Sequence, residues 1–309
     1  ASTSATADVR GINFSSGIAN VQNNMVRIGT NIATGVTVTG LYEVASTANS
    51  GIYFNSVYVG GTGVSTETGN SYAFRSDQVT NVRTFQNNIF VNARSNASTG
   101  GKHYAVRVAG TAPNPAGLTL NYNDYQATGT GAMFGFFNSL DVADLAAWRT
   151  ATGQDANSLN ADPQFIDPTN STPDLHIHPT NPTVIEGAGI AVGAVTDDYD
   201  GQTRAGLTPT DIGADAGNFT PSDISAPSIT YTALTFTCAT GDRALNGVTI
   251  TDASGVPTAG ALQPRIYYKK GVGGTWFSSQ GTLASGSGTN GTWNFTIVAA
   301  DMGGVAAGS

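Results

Sequence analysis

Short apolar segments, each centred on asparagine, recur at a nearly constant interval through the first part of the chain. They are rich in Val, Ile, Phe, Tyr and Thr, are bounded by Gly, Asn and Ser, and show no sustained helical period. This pattern predicts strands. The segments are 21–28, 52–59, 84–91 and 118–125, and their aligned asparagines, spaced by 31, 33 and 35 residues, are Asn24, Asn55, Asn88 and Asn123.

A second row repeats in step with the first, because the sequence YAFR at 72–75 returns as YAVR at 104–107. Self-similarity at a period of roughly 20–50 residues is typical of stacked repeats, in which each unit buries its apolar face against its neighbours. Strand repeats stacked in register give parallel sheets with about 4.8 Å between coils. The sequence therefore predicts an all-β chain in which residues 1–221 form a right-handed parallel β-helix, with its coils over 1–139.

The four asparagines lie above one another in such a stack, so their amides can hydrogen-bond along the axis as a structural ladder. Asparagine also tolerates the left-handed backbone conformation that turns require. We therefore expect these four residues to form turns and a ladder. Contact with a ligand is the alternative.

The pattern changes at residue 140, where a capping segment, 140–221, begins. Apolar residues at helical spacing over 141–149, followed by Gly153, predict a short amphipathic capping helix. Asp141 is its predicted N-cap, and Trp148 is the side chain expected to seat the helix on the coils.

The capping segment also contains an ordered series of short motifs. They are WRTATGQDANS at 148–158, DPQF at 162–165, DLHI at 174–177, PTVIEG at 182–187, DYDGQTR at 198–204 and DIGA at 211–214. Over residues 140–217 this series resembles the closing segment of right-handed parallel β-helix (pectin-lyase-like) domains in secreted bacterial surface proteins, many of which are similar to adhesins. The resemblance implies an extracellular, cell-surface protein. Glu186 and Ala216 depart from the usual pattern.

Composition narrows the classes of partner. Lys and Arg total 13 against 21 acidic residues, which gives a formal net charge of −8 and a pI of about 4.6. This balance excludes nucleic acid as an expected partner, and no apolar run approaches the roughly 20 residues that span a bilayer, so no membrane insertion is expected. The single cysteine, Cys238, excludes an internal disulfide framework and a cysteine zinc site, and is predicted to be a small buried residue.

Enzymes of the resembling fold, such as pectate lyases and polygalacturonases, place clustered acids and bases on one face of successive coils. Between residues 11 and 130 this chain has too few acids for such a cluster, so we predict no catalytic residues. The acids in that range are Glu43, Glu67, Asp77 and Asp124.

Basic residues nevertheless recur on one row of the predicted coils. Arg75 and Arg107 are in register, and Lys102 is adjacent to His103. These three basic side chains, Arg75, Arg107 and Lys102, predict a weak groove for an anionic sugar. The alternative is that the repeated arginines are solvated or pair along the stack.

Two groups of residues invite a metal interpretation. Asp197, Asp198 and Asp200, followed by Gly201, resemble half of a calcium loop, although no bidentate Glu completes an EF-hand. Calcium is thus a candidate ligand, and turn capping with pairing to Arg204 is the alternative. His176 and His178 lack a third ligand at suitable spacing, and the family resemblance implies that His176 belongs to a packing motif.

A Pro- and Ser-rich stretch, 220–227, predicts a domain boundary, so residues 222–309 form a second domain. Its candidate strands, 228–234, 247–252, 264–269, 275–279 and 292–298, favour an immunoglobulin-like sandwich. Five strands are fewer than the usual seven, so the sandwich is expected to be incomplete and to expose apolar surface. The aromatic residues expected in its core, with an exposed sugar-binding tryptophan pair as the alternative, are Tyr267, Trp276, Trp293 and Phe295.

Two functions remain open. The first is a structural or adhesive segment of a large extracellular bacterial surface protein, a rigid rod with a spacer that binds a polysaccharide or a cell-surface receptor and is joined to further domains of the same chain. The second is a carbohydrate-active β-helix protein, either a lyase, a hydrolase or a glycan-binding module. The scarcity of clustered acids and bases favours the first.

Overall fold

The structure is a computed structural model that describes residues 7–44, 49–65, 69–79, 81–111, 113–223, 225–235 and 240–304. The chain forms two compact units, Ala1–Ser222 and Asp223–Ser309. Two residues named above, Glu67 and Cys238, lie outside the described residues. Within those residues, no helix combines the length and the apolar character needed to cross a bilayer.

Unit 1 is a parallel β-solenoid of about four coils, which confirms the predicted fold class. Each complete coil contributes one strand to each of three sheets. The first sheet contains β1 (Asp8–Phe14), β4 (Thr37–Glu43), β7 (Ser71–Ser76), β10 (His103–Val108) and β13 (Ala132–Phe137), with β14 (Leu140–Val142) antiparallel at its edge. The second contains β2 (Ala19–Gln22), β5 (Ser50–Tyr53), β8 (Arg83–Gln86) and β11 (Leu118–Asn121), and the third β3 (Met25–Ile28), β6 (Ser56–Val59), β9 (Ile89–Asn92) and β12 (Asp124–Ala127).

The register of the sheets follows the repeats in the sequence. Tyr72 pairs with Tyr104 and Arg75 with Arg107 between β7 and β10. Inside the coils, Phe74 stacks on Phe90 with ring centroids 4.8 Å apart, and Phe90 lies 5.9 Å from Tyr125. Such aromatic pairs add to the stabilisation that comes from burying apolar area. The coils are thus held together by a continuous apolar interior.

Arginine side chains inside the solenoid are bound to backbone carbonyls. Arg94 is fully buried and donates to the carbonyls of Gly29, Gly60 and Thr34 at 3.2, 3.2 and 2.7 Å. Burial lowers the pKa of Arg94 to about 10. The arginine therefore fastens the turns of three successive coils, a role that its position in the sequence did not predict.

Asp124 is a buried carboxyl group whose ionisation lowers the stability of the folded protein as the pH rises. One oxygen accepts the Ala161 N–H at 3.0 Å, the other has no partner among the described residues, and burial raises the pKa of Asp124 to about 7. A raised carboxyl pKa gives stability that is fully present below the unfolded value near 4 and is lost as the pH rises through 7. We expect Asp124→Asn, which stays neutral, to be on the order of 3 kcal/mol more stable than the wild type at pH 8.

The measurement is urea unfolding of the two proteins at pH 5 and pH 8. At pH 5 the wild-type carboxyl group is already protonated in the fold, so the difference between the two proteins is expected to shrink. An equal difference at both pH values would show that Asp124 is ionised in the folded protein throughout this range.

The capping segment contains helix α1 (Leu145–Thr152), which confirms the predicted short helix, and the hairpin of β15 (Phe165–Asp167) and β16 (Asp174–Ile177). Gly153 ends the helix in the left-handed conformation, with φ 67°. The predicted N-cap was wrong. Asp144 caps the helix by accepting the Ala147 N–H at 2.8 Å, because Asp141 is held in β14 by its pairing with β13.

Unit 2 contains two antiparallel sheets. The first has the order β17 (Ser228–Thr230), β18 (Arg243–Thr251), β22 (Asn290–Ile297) and β21 (Thr282–Gly286), and the second pairs β19 (Arg265–Tyr268) with β20 (Phe277–Gln280). Strand β21 was not predicted. It is rich in Ser, Gly and Thr, and only Leu283 is an apolar residue that packs against the core of this unit.

The aromatic residues of unit 2 divide into two groups. Trp293 and Phe295 are buried with Val248 and Ile250. Tyr267 and Trp276 are 64% and 60% exposed, so their prediction as core residues was wrong. On β19 the neighbouring Tyr268 points inward instead, and Trp276 packs against the ammonium group of Lys269 at 4.7 Å. Apolar side chains also line an open cleft of about 760 Å³ in this unit.

Candidate functional site

The four predicted ladder asparagines hydrogen-bond in series along the coils. The Nδ2 groups of Asn24, Asn55 and Asn88 donate to the Oδ1 atom of the next asparagine at 2.8, 2.8 and 3.0 Å. The backbone N–H of Asn123 then donates to Ser158 Oγ at 2.9 Å, which joins the ladder to the capping segment. These amides are engaged in holding the coils, so they are structural residues.

The left-handed turn residue is the one before each ladder asparagine. Asn23, Phe54, Asn87 and Tyr122 have φ values of 54, 52, 58 and 55°. Asparagine adopts this conformation readily, whereas an aromatic residue does so at a cost. Phe54 is held there under the Arg204 guanidinium, whose carbon lies 3.9 Å from the ring centroid. The same turn is therefore kept in four coils even where the local residue disfavours it.

Arginines and aromatic residues alternate on the outward side of the first sheet. Arg75 pairs in register with Tyr42 on one side and with Arg107 on the other, and Arg107 pairs with Phe136. The Arg75 guanidinium lies 4.5 Å from the Tyr42 ring centroid, and that of Arg107 lies 5.6 Å from the Tyr72 ring. We call this surface, formed by these five residues, the arginine–aromatic face.

A single carboxylate offsets both arginines of this face. Asp77 accepts from Arg75 at 2.6 Å and from the Tyr42 hydroxyl at 2.5 Å, and it forms an ion pair with Arg107 at 3.3 Å. Burial acts to raise the pKa of Asp77, but the hydrogen bonds from Arg75 and Tyr42 and the charge of Arg107 lower it below its ordinary value. Asp77 is thus ionised at neutral pH. Arg75 and Arg107 therefore do not offer two free positive charges to an anionic sugar.

Lys102 lies in a separate cleft of about 450 Å³ beside this face. Its ammonium group pairs with Asp141, which also accepts the Tyr104 hydroxyl at 2.8 Å. The hydrogen bond from Lys102 lowers the pKa of Asp141. We call this the Lys102 cleft, and its lining residues are Asn70, Gly100, Gly101, Lys102, Tyr104, Phe136, Ser139, Leu140 and Asp141.

Two further titratable residues of the coils, Glu43 and His103, face the interior. Glu43 is buried and accepts the hydroxyls of Ser50 and Ser76. His103 is also buried, with its ring nitrogens 2.9 Å from Ser71 Oγ and Asn96 Oδ1. Burial and the charge of Arg94 lower the pKa of His103 to about 4, so the ring is neutral at pH 7. Neither group is placed to exchange a proton with a surface substrate.

The three predicted calcium ligands point to different partners. Asp198 is buried, and its carboxylate accepts the backbone N–H groups of Asp200, Gln202 and Ala216 at 3.0, 2.7 and 3.3 Å. Asp197 is exposed, and its backbone carbonyl accepts from Asn23 and Arg204. Turn capping thus occupies Asp198, while Asp200 turns toward His176 at 3.0 Å.

Arg204 binds carbonyls and a ring instead of pairing closely with a carboxylate. Its NH2 group donates to the carbonyls of Gly213 and Ala214 and to Asn23 Oδ1 at 3.0, 2.9 and 3.0 Å. Together with Phe54, these contacts fasten the capping segment to the coils. Burial lowers the pKa of Arg204 to about 10.

The two histidines of the DLHI region have different environments. Nδ1 of His178 accepts the backbone N–H groups of Thr180 and Asn181 at 3.3 and 3.2 Å, so this ring stabilises a turn. His176 lies between two carboxylates, with Nδ1 2.5 Å from Asp174 and Nε2 3.0 Å from Asp200. Burial alone would lower the pKa of His176, but the hydrogen bond that its ring donates to Asp174 and the charge of Asp215 raise it.

Sequence reasoning missed the carboxylates that complete these sites. Asp77 follows β7 directly, and the period places it beside both arginines, so the repeat itself contained that signal. Asp141 was assigned to the helix, and Asp215 lies 39 residues after His176 in the chain. Only the folded connections bring these two into contact with Lys102 and His176.

No sequence model of a protein family, no curated protein and no solved structure matches this chain.

Proposed function

We propose that this chain is an adhesive segment of an extracellular bacterial surface protein, and that it binds a polysaccharide in the Lys102 cleft. In this proposal unit 1 is a pectin-lyase-like β-helix and unit 2 is an immunoglobulin-like spacer joined to further domains. The proposal rests above all on the composition of the cleft. The cleft is lined by the aromatic ring of Phe136, the carboxylate of Asp141, the amide of Asn70 and the ammonium group of Lys102.

Sugars are bound by this combination of groups because they have both apolar and hydroxyl-bearing surfaces. The half-buried Phe136 ring and the exposed Leu140 side chain give apolar contact. Lys102 and Asp141 supply a donor and an acceptor for hydroxyl groups, and Asn70 fixes the Lys102 backbone N–H at 2.8 Å. Pairing of β13 with β14 sets Phe136 opposite Asp141, and Lys102 directly precedes β10, so the cleft is pre-organised.

Charge favours a neutral polysaccharide over the anionic sugar that the sequence predicted. The Lys102 ammonium is neutralised by Asp141, and Asp77 is shared by Arg75 and Arg107. Four coils spaced by about 4.8 Å give a stack of only about 20 Å. A stack this short does not act as a long stalk. In this proposal unit 1 therefore contributes the polysaccharide-binding surface, and the other domains of the protein provide the distance from the cell.

Glycan-array binding of the full chain tests this proposal, with neutral glucans, mannans and galactans beside polygalacturonate and hyaluronate. We expect binding to a neutral class, weakened at least tenfold by Phe136→Ala and severalfold by Lys102→Ala, because the first removes the apolar floor and the second leaves Asp141 without its ion pair. Lys270→Ala, the same change at an exposed lysine of unit 2, is the control and should bind like the wild type. Binding only to the acidic polymers, or equal loss in all three variants, would contradict the proposal.

A further inference from the structure

We propose that His176, Asp200 and Asp215 bind a divalent transition-metal ion of the zinc type. One possible ligand atom from each of the three residues lies within 4.8 Å of the other two. They come from β16, from the turn that follows Asp198 and from the DIGA region, so the site exists only when the capping segment is folded. It shares one residue with the calcium loop suggested by the sequence and otherwise differs from it.

The His176 ring is oriented as in a metal-binding histidine. Asp174 Oδ1 lies 2.5 Å from Nδ1 and also accepts the His176 backbone N–H at 2.9 Å. A carboxylate on Nδ1 fixes the orientation of the ring and raises its basicity. On binding, the metal would take the place of the Nε2 proton that is shared with Asp200, and that proton is released to solvent. Tyr199 packs against the imidazole edge to face, with centroids 5.7 Å apart, and limits its rotation. Nε2 is thereby directed at Asp200.

Asp215 provides an observation independent of the histidine. It is only 7% exposed, and one oxygen accepts the Ile177 N–H at 2.8 Å. Its other oxygen receives no hydrogen bond from any described residue. This oxygen is not sealed from solvent, so an ion can reach it. Three carboxylates, those of Asp174, Asp200 and Asp215, surround a single imidazole, and a divalent cation among them would offset this excess of negative charge.

The donor set decides which cation fits. Calcium and magnesium prefer sites made entirely of oxygen, whereas imidazole nitrogen with carboxylate oxygen suits zinc and its neighbours. Ligand atoms around a tetrahedral zinc lie about 3.4 Å apart, so separations of up to 4.8 Å must shorten by as much as about 1.4 Å, while the 3.0 Å separation of His176 and Asp200 must widen slightly. Asp200 can provide that movement because its side chain is 43% exposed. Three protein ligands leave the fourth position to water.

Isothermal titration of zinc chloride into the untagged, chelator-treated full chain tests the site. We expect one ion to bind per chain with a micromolar or tighter Kd. His176→Gln and Asp215→Asn should each weaken binding at least tenfold, because each removes a ligand. His178→Gln is the matched control, two residues along on a turn-forming ring, and should retain wild-type affinity. Asp200→Asn, at an exposed position, serves if the buried variants fail to fold, and should also weaken binding at least tenfold.

Three results would overturn the proposal. The first is the absence of zinc binding by the wild type at one ion per chain. The second is an equal loss of affinity in His178→Gln and in His176→Gln, which would place the metal elsewhere. The third is calcium binding as tightly as zinc, since a nitrogen ligand should discriminate against calcium. Glycan binding in the Lys102 cleft can succeed or fail independently of all three.

Discussion

Replacing Asn88 by alanine is expected to destabilise unit 1 by about 4 kcal/mol. The Asn88 side chain is fully buried and makes five hydrogen bonds. Its Nδ2 donates to the carbonyls of Ile52 and Gln86 and to Asn123 Oδ1, while its Oδ1 accepts from the backbone and side chain of Asn55. Alanine leaves these groups buried without partners, and each such group costs about 1–3 kcal/mol before the structure relaxes.

The measurement is urea unfolding of the full chain, followed by hydrogen exchange of peptides from β8 and β9. Asn24→Ala is the matched control, because Asn24 stands at the end of the ladder and is only half-buried, and among the described residues no group of another coil donates to its Oδ1. Its cost should be clearly smaller. Similar small effects for both variants would mean that the ladder contributes little to the stacking of the coils.

Replacing Trp148 by alanine should cost about 4–5 kcal/mol. The indole is fully buried, with ring centroids 5.9 Å from Phe134 and 6.1 Å from Phe137. Its Nε1–H also donates at 2.7 Å to Asp155, a carboxylate that is 1% exposed. Alanine therefore leaves a cavity between α1 and β13 and takes one donor from a buried carboxylate.

Two further substitutions separate these contributions. Trp148→Phe keeps most of the packing but loses the N–H, so its cost should be intermediate. Trp276→Ala changes a tryptophan that is 60% exposed and should cost less than 1 kcal/mol. Thermal unfolding followed by far-ultraviolet circular dichroism measures all three. If Trp148→Ala is no more destabilising than Trp276→Ala, the helix is not held on the coils by this side chain.

The repeats predicted the solenoid because its stacking is periodic. A residue that must lie above its equivalent in the next coil has to recur at the coil length, as the ladder asparagines do. The same logic gave the register of Arg75 and Arg107. Periodicity does not show whether an isolated side chain points into the coils or away from them, so the interior positions of Glu43 and His103 were not predicted.

The remaining errors have local physical causes. Asp141 is a residue type that favours the N-cap position. Residues 140–142 pair with β13 instead, so the helix begins only after Asp144. Tyr267 and Tyr268 are equally apolar neighbours, and only the pleat of β19 decides that Tyr268 faces the core. His176 and Asp215 are brought together by the irregular connections of the capping segment. These connections contain no sequence repeat, so the contact could not be predicted from spacing.

The central claim is that the chain binds a polysaccharide without cleaving it. The most direct test incubates the full chain with the neutral polysaccharide that the array identifies, then measures both retention of the protein on the polymer and the polymer's length by size-exclusion chromatography. We expect retention with unchanged length, because Glu43 and His103 face the interior and Asp77 is held by two arginines. Shortening of the polymer would establish the carbohydrate-active alternative, and failure to retain the protein on the polymer would contradict the adhesive function.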